Sequence, residues 1–255
     1  MSTQVFLLPH PDDEFAVAFT IRDACLAGDR VCIVFLTDGG FGGQDVYRRE
    51  QESVGVLQSI GVGIEEIHFI GRSDGIPDGR LHEHLERASS SVANTLITLG
   101  QADVIFVPAW EGGHQDHDAA HLIGINVARM LHIKAIRQFP LYRAVGRIGP
   151  FFRVLLPLVE NGPVITRCTS WSERCWHPDL CLGYRSQWRS WLGLWPLTLL
   201  HHLLDGGFTN QPVSTARIQG APHQGLPLYT RRGFLDLEEF LSATADFRHR
   251  LQHSP

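Results

Sequence analysis

The sequence predicts an α/β fold with a mostly parallel sheet and helices packed on its faces. Short apolar runs alternate along the chain with longer segments of helical character. The first unit consists of Val5–Leu8, Phe15–Ala27 and Arg30–Leu36, which is the strand–helix–strand order of a parallel, right-handed βαβ unit. Polar or glycine-rich stretches follow the apolar runs. In open α/β sheets this edge, beyond the carboxyl ends of the strands, is where ligands bind.

The rest of the chain as far as residue 130 repeats this alternation. The elements predicted there are a helix over Asp45–Ile60, a strand over Ile64–Ile70, a helix over Leu81–Leu99, a strand over Asp103–Pro108 and a helix over Ala119–Met130. Near the end of the chain, Gly233–Phe247 predicts one amphipathic helix.

Composition excludes several classes of protein. The chain has 255 residues, 44% of them hydrophobic and 19% charged, which allows either one large α/β domain or two small ones. A net charge of −5 disfavours a non-specific nucleic-acid binder. The polar Met1–Gln4 leads directly into the first strand, without a signal peptide, and no run reaches the roughly 18 apolar residues of a membrane span. The five cysteines lack a C-x-x-C pair and are expected to be reduced thiols of a cytoplasmic protein.

The first candidate site is the stretch Pro9–Glu14, between the first strand and the first helix. His10 and Asp13 are residue types that bind Zn²⁺, and the neighbouring Asp12 supplies a further carboxylate. The alternative is a turn in which Asp12 and Asp13 only cap the helix.

A second stretch of similar chemistry, Trp110–Asp118, follows the strand that ends at Pro108. It places His114 and His117 about one helical turn apart, and nearby aspartates could accept hydrogen bonds from their rings. Two histidines at this spacing often occur by chance. The combination with the first stretch is more informative, because both follow strands of one parallel sheet and the fold would bring them together.

The sequence at this point resembles the LmbE-like, PIG-L-type zinc de-N-acetylases. The matching elements are Pro9–Glu14, Leu36–Gly39, Arg49-x-x-Glu52, Gly113-His114-x-Asp116-His117 and, on an expected C-terminal helix, Tyr184–Gln187. The resemblance covers residues 5–130 and, more thinly, 180–190. It implies a Rossmann-like fold, a single domain with a catalytic core over residues 1–135, and an irregular C-terminal extension over 136–255 that shapes the substrate site.

The resemblance also implies a role for individual residues. His10, Asp13 and His117 would hold one zinc ion, which leaves a fourth position open as a catalytic zinc requires. Asp12 would be the general base, and His114 would polarise or protonate the substrate amide.

Three further residues have roles that depend on their neighbours. Asp116 would be the partner that orients His114, and Asp74 would contact the substrate. Arg49 would contact the substrate too, although from spacing alone a solvated salt bridge between Arg49 and Glu52 is the default interpretation.

The expected activity is zinc-dependent removal of the N-acetyl group from an N-acetylated amino sugar or glycoconjugate. The alternatives are a non-catalytic sugar- or nucleotide-binding protein, a deacylase for a lipid-linked or antibiotic-type substrate, and a metal-dependent esterase or phosphatase. Asp12 favours an enzyme, because a binding protein has no need of an additional carboxylate beside two ligands. The sequence predicts neither the substrate's identity nor the oligomeric state.

The C-terminal extension carries strongly apolar blocks at residues 151–159 and 188–204. Five tryptophans fall within this extension: Trp171, Trp176, Trp188, Trp191 and Trp195. They could form a core, a lid, a sugar-stacking surface or a face for peripheral membrane contact. Arg185 or Arg189 could pair with a substrate phosphate.

Overall fold

A mixed sheet runs through the centre of the computed structural model, which describes residues 1–100, 102–144 and 152–253. The strands are β1 (Thr3–Leu8), β2 (Arg30–Phe35), β3 (Ile67–Phe69), β4 (Val104–Pro108), β5 (Ala135–Phe139), β6 (Tyr142–Arg143), β7 (Arg153–Val154), β8 (Ile165–Arg167) and β9 (Phe208–Pro212). The central sheet has the order β3-β2-β1-β4-β5-β9-β8, and β6 and β7 form a separate antiparallel pair. Strands β1 to β5 are parallel, whereas β9 is antiparallel to β5 and to β8.

Helices cover both faces of this sheet. They are α1 (Glu14–Leu26), α2 (Val46–Ser59), α3 (Ile70–Asp74), α4 (Leu85–Leu99), α5 (Gln115–Met130), α6 (Trp171–Asp179), α7 (Trp188–Leu204), α8 (Leu228–Arg231), α9 (Leu237–Ala243) and α10 (Ala245–His253). Within the described part of the chain, none of them is long and apolar enough to cross a bilayer.

Successive side chains of a strand point to opposite faces of the sheet. Because helices cover both faces, the strands at the centre of the sheet are buried on both sides. In β1, Val5 and Leu7 join the apolar cluster beneath α4, α5, α9 and α10. Phe6 and Leu8 join the cluster beneath α1, α2 and α7. This double burial explains why the parallel strands are continuously apolar in sequence rather than alternating.

The predicted α/β class and the mostly parallel sheet are confirmed. The C-terminal extension is less irregular than expected, since it adds β8 and β9 to the sheet. The predicted third strand is shortened to β3 by a 3₁₀ turn at Ile64–Glu66. The fifth helix begins at Gln115 rather than Ala119, so it contains His117.

Two predicted helical segments are wrong. The single helix over Gly233–Phe247 is replaced by α9 and α10. Gly233 has a φ of 71°, which a right-handed helix does not admit, and α9 ends at Ala243, because the backbone of the following Thr244 leaves the helical range. The stretch Tyr184–Gln187 lies on 3₁₀ turns that precede α7, not within a helix. Of the apolar block at residues 151–159, Phe151 lies outside the described residues.

Candidate metal centre and active site

The loops that follow β1, β2 and β4 meet at one edge of the sheet, as the parallel topology requires. The Thr37 hydroxyl, beyond β2, donates a hydrogen bond to Pro9 O at 2.7 Å, which ties the second loop to the first. The third loop brings in His114, which caps the N-terminus of α5.

His10, Asp13 and His117 form a compact, buried group at this edge. The Asp13 carboxylate joins the two rings, with Oδ2 3.2 Å from His10 Nδ1 and Oδ1 3.0 Å from His117 Nε2. One ligand atom from each residue lies within 4.8 Å of the others. Two imidazoles and one carboxylate are a donor set typical of catalytic zinc.

The surroundings of His10 favour a cation in this group. Its Nε2 lies 3.1 Å from Asp116 Oδ2 and 3.2 Å from Asp78 Oδ1, while its Nδ1 faces Asp13. Burial alone would lower the pKa of His10, but Asp78 and Asp13 raise it well above its usual value. Both ring nitrogens thus face carboxylates, an arrangement that needs either a second ring proton or a metal ion between Nδ1 and Asp13.

A second group, His10 with Asp78 and His114, also has ligand atoms within 4.8 Å of one another. It competes with the first, because His10 belongs to both. The carboxylates of Asp116 and Asp78 need a hydrogen-bond donor, which is the N–H of His10 when Nε2 carries the ring proton. With Nε2 protonated, only Nδ1 of His10 is free to bind a metal. The first group is therefore the better candidate metal centre.

Asp116 acts on His10 rather than on His114. Its carboxylate accepts hydrogen bonds from the backbone N–H groups of Gly79, at 2.5 Å, and Leu81, at 3.0 Å, in addition to the contact with His10. Burial would raise the pKa of Asp116, but His10 and His114 lower it below its usual value. With His114, the hydrogen bond of Asp116 is made by its backbone N–H, which differs from the predicted pairing of carboxylate and ring.

His114 is a half-buried, neutral ring. Its Nδ1 accepts the backbone N–H of Asp116 at 3.2 Å, so the ring proton is on Nε2. Burial, together with the neighbouring His10, lowers the pKa of His114 to about 3. His114 lines the pocket described below and can offer this N–H to a ligand.

Asp12 is the partly buried carboxylate beside the candidate metal ligands. Its φ of 118° lies in a region that residues other than glycine rarely adopt, and its N–H donates to Glu14 Oε2 at 3.0 Å. Burial raises the pKa of Asp12 to about 7, against the opposing effect of Arg49. A carboxylate with a pKa near neutrality is suited to general-base catalysis.

Arg49 is hydrogen-bonded to the loops of this site and lies close to two of its carboxylates. Its guanidinium donates to Gly39 O and, at 2.8 Å, to Pro11 O, and it lies 3.4 Å from Asp12 Oδ1 and 3.3 Å from Asp78 Oδ2. The interpretation of Arg49 as the salt-bridge partner of Glu52 is wrong.

Glu52 instead connects the two halves of the chain. Its carboxylate lies 3.2 Å from Arg48 Nε and accepts hydrogen bonds from the Ser186 N–H, at 3.0 and 3.1 Å, and from the Ser186 hydroxyl, at 2.6 Å. On α2 the Arg49 side chain points inward to the site, whereas Glu52 binds the turn that precedes α7.

Asp74 and Asp78 occupy different places although they belong to the same loop region. Asp74 ends α3 and is not part of the pocket wall, whereas Asp78 lines the pocket and contacts His10 and Arg49. Burial would raise the pKa of Asp78, but His10 lowers it far below its usual range. Asp78 was missed from sequence, where its position between Pro77 and Gly79 was the only available signal.

The candidate metal centre opens into a pocket of about 310 Å³. Residues from both halves of the chain line it: His10, Asp12, Asp13, Phe15, Ala16, Phe41, Gln44, Arg49, Asp78, His114, Leu141, Tyr142, Val154, Leu155, Gln187, Ser190, Trp191, Leu194, Thr198, Arg232 and Phe234. Gly113 allows the halves to meet closely, because a Cβ there would clash with Tyr142 O.

The five tryptophans of the extension have different environments. Trp191 is buried and lines the pocket, and Trp176 is partly buried against the core. Trp171, Trp188 and Trp195 are exposed. Neither Arg185 nor Arg189 belongs to the pocket wall, where Arg232 is the arginine from the extension.

Comparisons with known proteins agree with this fold. Residues 5–128 match the sequence model of the PIG-L family, described as GlcNAc-PI de-N-acetylase. A search among curated proteins finds no match.

Solved structures share the fold at low sequence identity. The zinc-inhibited form of a teicoplanin deacetylase is 16% identical, with 84% of this chain and 98% of that chain covered and a TM-score of 0.63. The N,N'-diacetylchitobiose deacetylase from Pyrococcus horikoshii is 15% identical, with 88% of each chain covered and a TM-score of 0.63. A 4-carboxy-2-hydroxymuconate hydratase from Pseudomonas putida is 11% identical, with 84% and 95% covered and a TM-score of 0.51.

The hydratase shows that proteins of this fold also catalyse other reactions, so the reaction has to be inferred from the site residues. Residues 5–128 of the chain therefore belong to the LmbE-like, PIG-L-type family.

Proposed function

We propose that this chain is a zinc-dependent amidohydrolase that removes the N-acetyl group from an N-acetylated amino sugar or glycoconjugate. The observation that carries the proposal is the position of Asp12. It lines the same pocket as His10, Asp13 and His114, yet it belongs to neither group of potential metal ligands. A non-catalytic binding protein would leave this strained, partly buried carboxylate without a role.

The residues proposed to hold zinc are His10, Asp13 and His117. When bound, zinc would lower the pKa of a water molecule towards about 7 and polarise a carbonyl oxygen.

Asp12 would accept a proton from the attacking water, and Arg49 would hold the Asp12 carboxylate in place from 3.4 Å. The water oxygen adds to the amide carbonyl carbon, and negative charge develops on the carbonyl oxygen. His114 would stabilise that charge by donating its Nε2–H. The proton held by Asp12 then passes to the nitrogen as the C–N bond breaks, which yields acetate and a free amino sugar.

Arg49 has a second proposed role, contact with the substrate, because it lines the pocket. The resemblance assigns substrate contact to Asp74, but the structure favours Asp78 for that role, since Asp78 is the loop carboxylate in the pocket wall. The C-terminal extension over residues 136–255 is proposed to shape the substrate site, with β7 and α7 as its part of the wall.

Two further parts of the proposal concern the setting of the reaction. All five cysteines are free thiols, which supports a cytoplasmic location. Peripheral membrane contact is supported by the outer face of α7, where Trp188, Leu192 and Leu203 are exposed. Sedimentation with anionic lipid vesicles tests this contact, and protein that stays entirely in the supernatant would contradict it.

The activity is tested with purified protein and methyl N-acetyl-β-D-glucosaminide, measuring acetate and free amine in parallel. We expect the two products in equal amounts, loss of both after treatment with a chelator, and recovery when Zn²⁺ is added back.

Asp12→Asn should abolish most of this turnover, whereas Asp74→Asn, the same change outside the pocket wall, should retain it. Turnover that is insensitive to chelation, or equal in Asp12→Asn and the parent protein, would refute the proposal. Hydrolysis of a matched ester without hydrolysis of the amide would favour the esterase alternative.

A further inference from the structure

The pocket has two chemically different ends. One end carries the charged and imidazole side chains of the candidate metal centre. The other is walled by apolar side chains from three elements: Phe15 and Ala16 of α1, Val154 and Leu155 in and beside β7, and Trp191 and Leu194 of α7.

The pocket as a whole is larger than an acetyl group requires. Pockets for drug-sized ligands begin at about 300 Å³, and this one measures about 310 Å³. A sugar ring would need polar partners. On the face of α7 that carries Trp191 and Leu194, the wall offers the Ser190 and Thr198 hydroxyls, and that of Thr198 already donates to Leu194 O at 3.0 Å.

The apolar wall is fixed before any ligand binds. The Trp191 ring stacks on Tyr184 at 5.5 Å and meets Phe15 edge-on at 4.6 Å between ring centroids. Leu155 has a φ of 55°, stabilised by a 2.8 Å hydrogen bond from its N–H to Leu141 O. Such backbone conformations are costly for leucine and concentrate around binding sites.

We infer that the apolar end of the pocket binds an unbranched apolar chain of the substrate, carried either on the acyl group or on the aglycone. This inference rests on the proposed function and narrows its substrate class from acetylated sugars in general to amphipathic conjugates. Burial of each methylene is worth about 0.8 kcal/mol, or up to about a four-fold gain in binding.

Two substrate series separate the two sources of the chain. The acyl series consists of methyl β-D-glucosaminides with N-acetyl, N-butanoyl or N-hexanoyl groups. The aglycone series consists of methyl, butyl and hexyl N-acetyl-β-D-glucosaminides. Released amine is measured for both, and we expect kcat/KM to rise by at least about 30-fold along one of them.

Matched variants of α7 test where the chain binds. Leu194→Ser alters the pocket face, whereas Leu192→Ser makes the same change on the exposed face of the same helix. Only Leu194→Ser should remove the gain with chain length. Ala16→Leu, which fills the apolar end from α1, should also reduce the gain and serves as a second variant should Leu194→Ser fold poorly.

Direct binding separates this inference from the proposed function. Calorimetry of the zinc-loaded protein with hexyl and methyl β-D-glucopyranoside, and with hexanoate and acetate, needs no turnover. We expect at least about ten-fold tighter binding of one hexyl ligand, lost in Leu194→Ser and kept in Leu192→Ser.

Chain-selective binding without amide turnover would refute the proposed function and leave the apolar site standing. Turnover of the methyl N-acetyl substrate with no dependence on chain length and no chain-selective binding would overturn the inference alone.

Discussion

The two halves of this chain contribute to the pocket in opposite ways. In residues 1–135 the side chains around the candidate metal centre are polar and bond mainly to one another, as Arg49 does with Asp12 and Asp78, and only α1 adds apolar side chains, Phe15 and Ala16, to the apolar end described above. In the extension the wall is mostly apolar, with Leu155 and Trp191 among its members, although polar side chains such as Ser190 and Arg232 also belong to it.

This difference indicates that the reaction depends on the polar network of the first half and that substrate selectivity depends on the apolar wall of the second half. Buried charges are tolerated only when each has a partner, so a change in the first half should disturb a network. Apolar contacts are individually weak and interchangeable, so the second half can vary its wall without loss of the reaction. Reaction and selectivity should therefore respond to different substitutions.

The largest expected effect is from His117→Ala in the first half. Removing a ligand from the proposed metal centre should abolish both zinc binding and activity, as measured by zinc content and amine release. His121→Asn is the control one turn along α5, since the His121 ring bonds to Pro108 O instead. Full zinc occupancy in His117→Ala would remove His117 from the ligand set.

A smaller but still large effect is expected from His114→Ala. Loss of the N–H that stabilises the developing charge should lower kcat by about 10²–10³ while zinc stays bound. A parallel loss of zinc would instead make His114 a ligand, as in the competing group with Asp78.

In the second half, Trp191→Ala should lower the free energy of unfolding by about 3–5 kcal/mol, because the ring packs on Phe15 and Tyr184. Trp188→Ala, on the exposed side of the same helix, should change it by less than about 0.5 kcal/mol. Denaturant titration of both variants measures the difference. Equal free energies of unfolding for the two variants would contradict the difference in packing that the exposures of the two tryptophans indicate.

The smallest expected effect is at the junction between the halves. Glu52→Gln weakens the charged hydrogen bonds to Ser186 and should lower the free energy of unfolding by about 1.5–3 kcal/mol. Asp45→Asn near the start of α2 is a control, since asparagine also caps helices. An unchanged unfolding midpoint in Glu52→Gln would show that the junction does not depend on this contact.

How far the sequence predicted the molecule depends on the range of the interactions involved. Strands β1, β2 and β4 were predictable because burial on both faces makes them continuously apolar. Strands β8 and β9 were not, because they are short, contain polar residues and exist only through pairing with each other and with β5.

The same contrast holds within the candidate site. His10, Asp12, Asp13, His114 and His117 were predicted from two short motifs, and the structure brings them together. Two features of the site depend on how the loop around Gly79 folds over α5. Asp78 rather than Asp74 lines the pocket, and the Asp116 carboxylate contacts His10 rather than His114. No pattern in the sequence records that packing.

The division of labour between adjacent carboxylates is the central claim, and one paired measurement tests it most directly. Zinc content and kcat are determined side by side for Asp12→Asn and Asp13→Asn. Asp12→Asn should keep its zinc and lose about 10²–10⁴ in kcat, whereas Asp13→Asn should lose zinc and activity together. Zinc loss in Asp12→Asn with retention in Asp13→Asn, or full activity in either variant, would contradict the assignment of base and ligand.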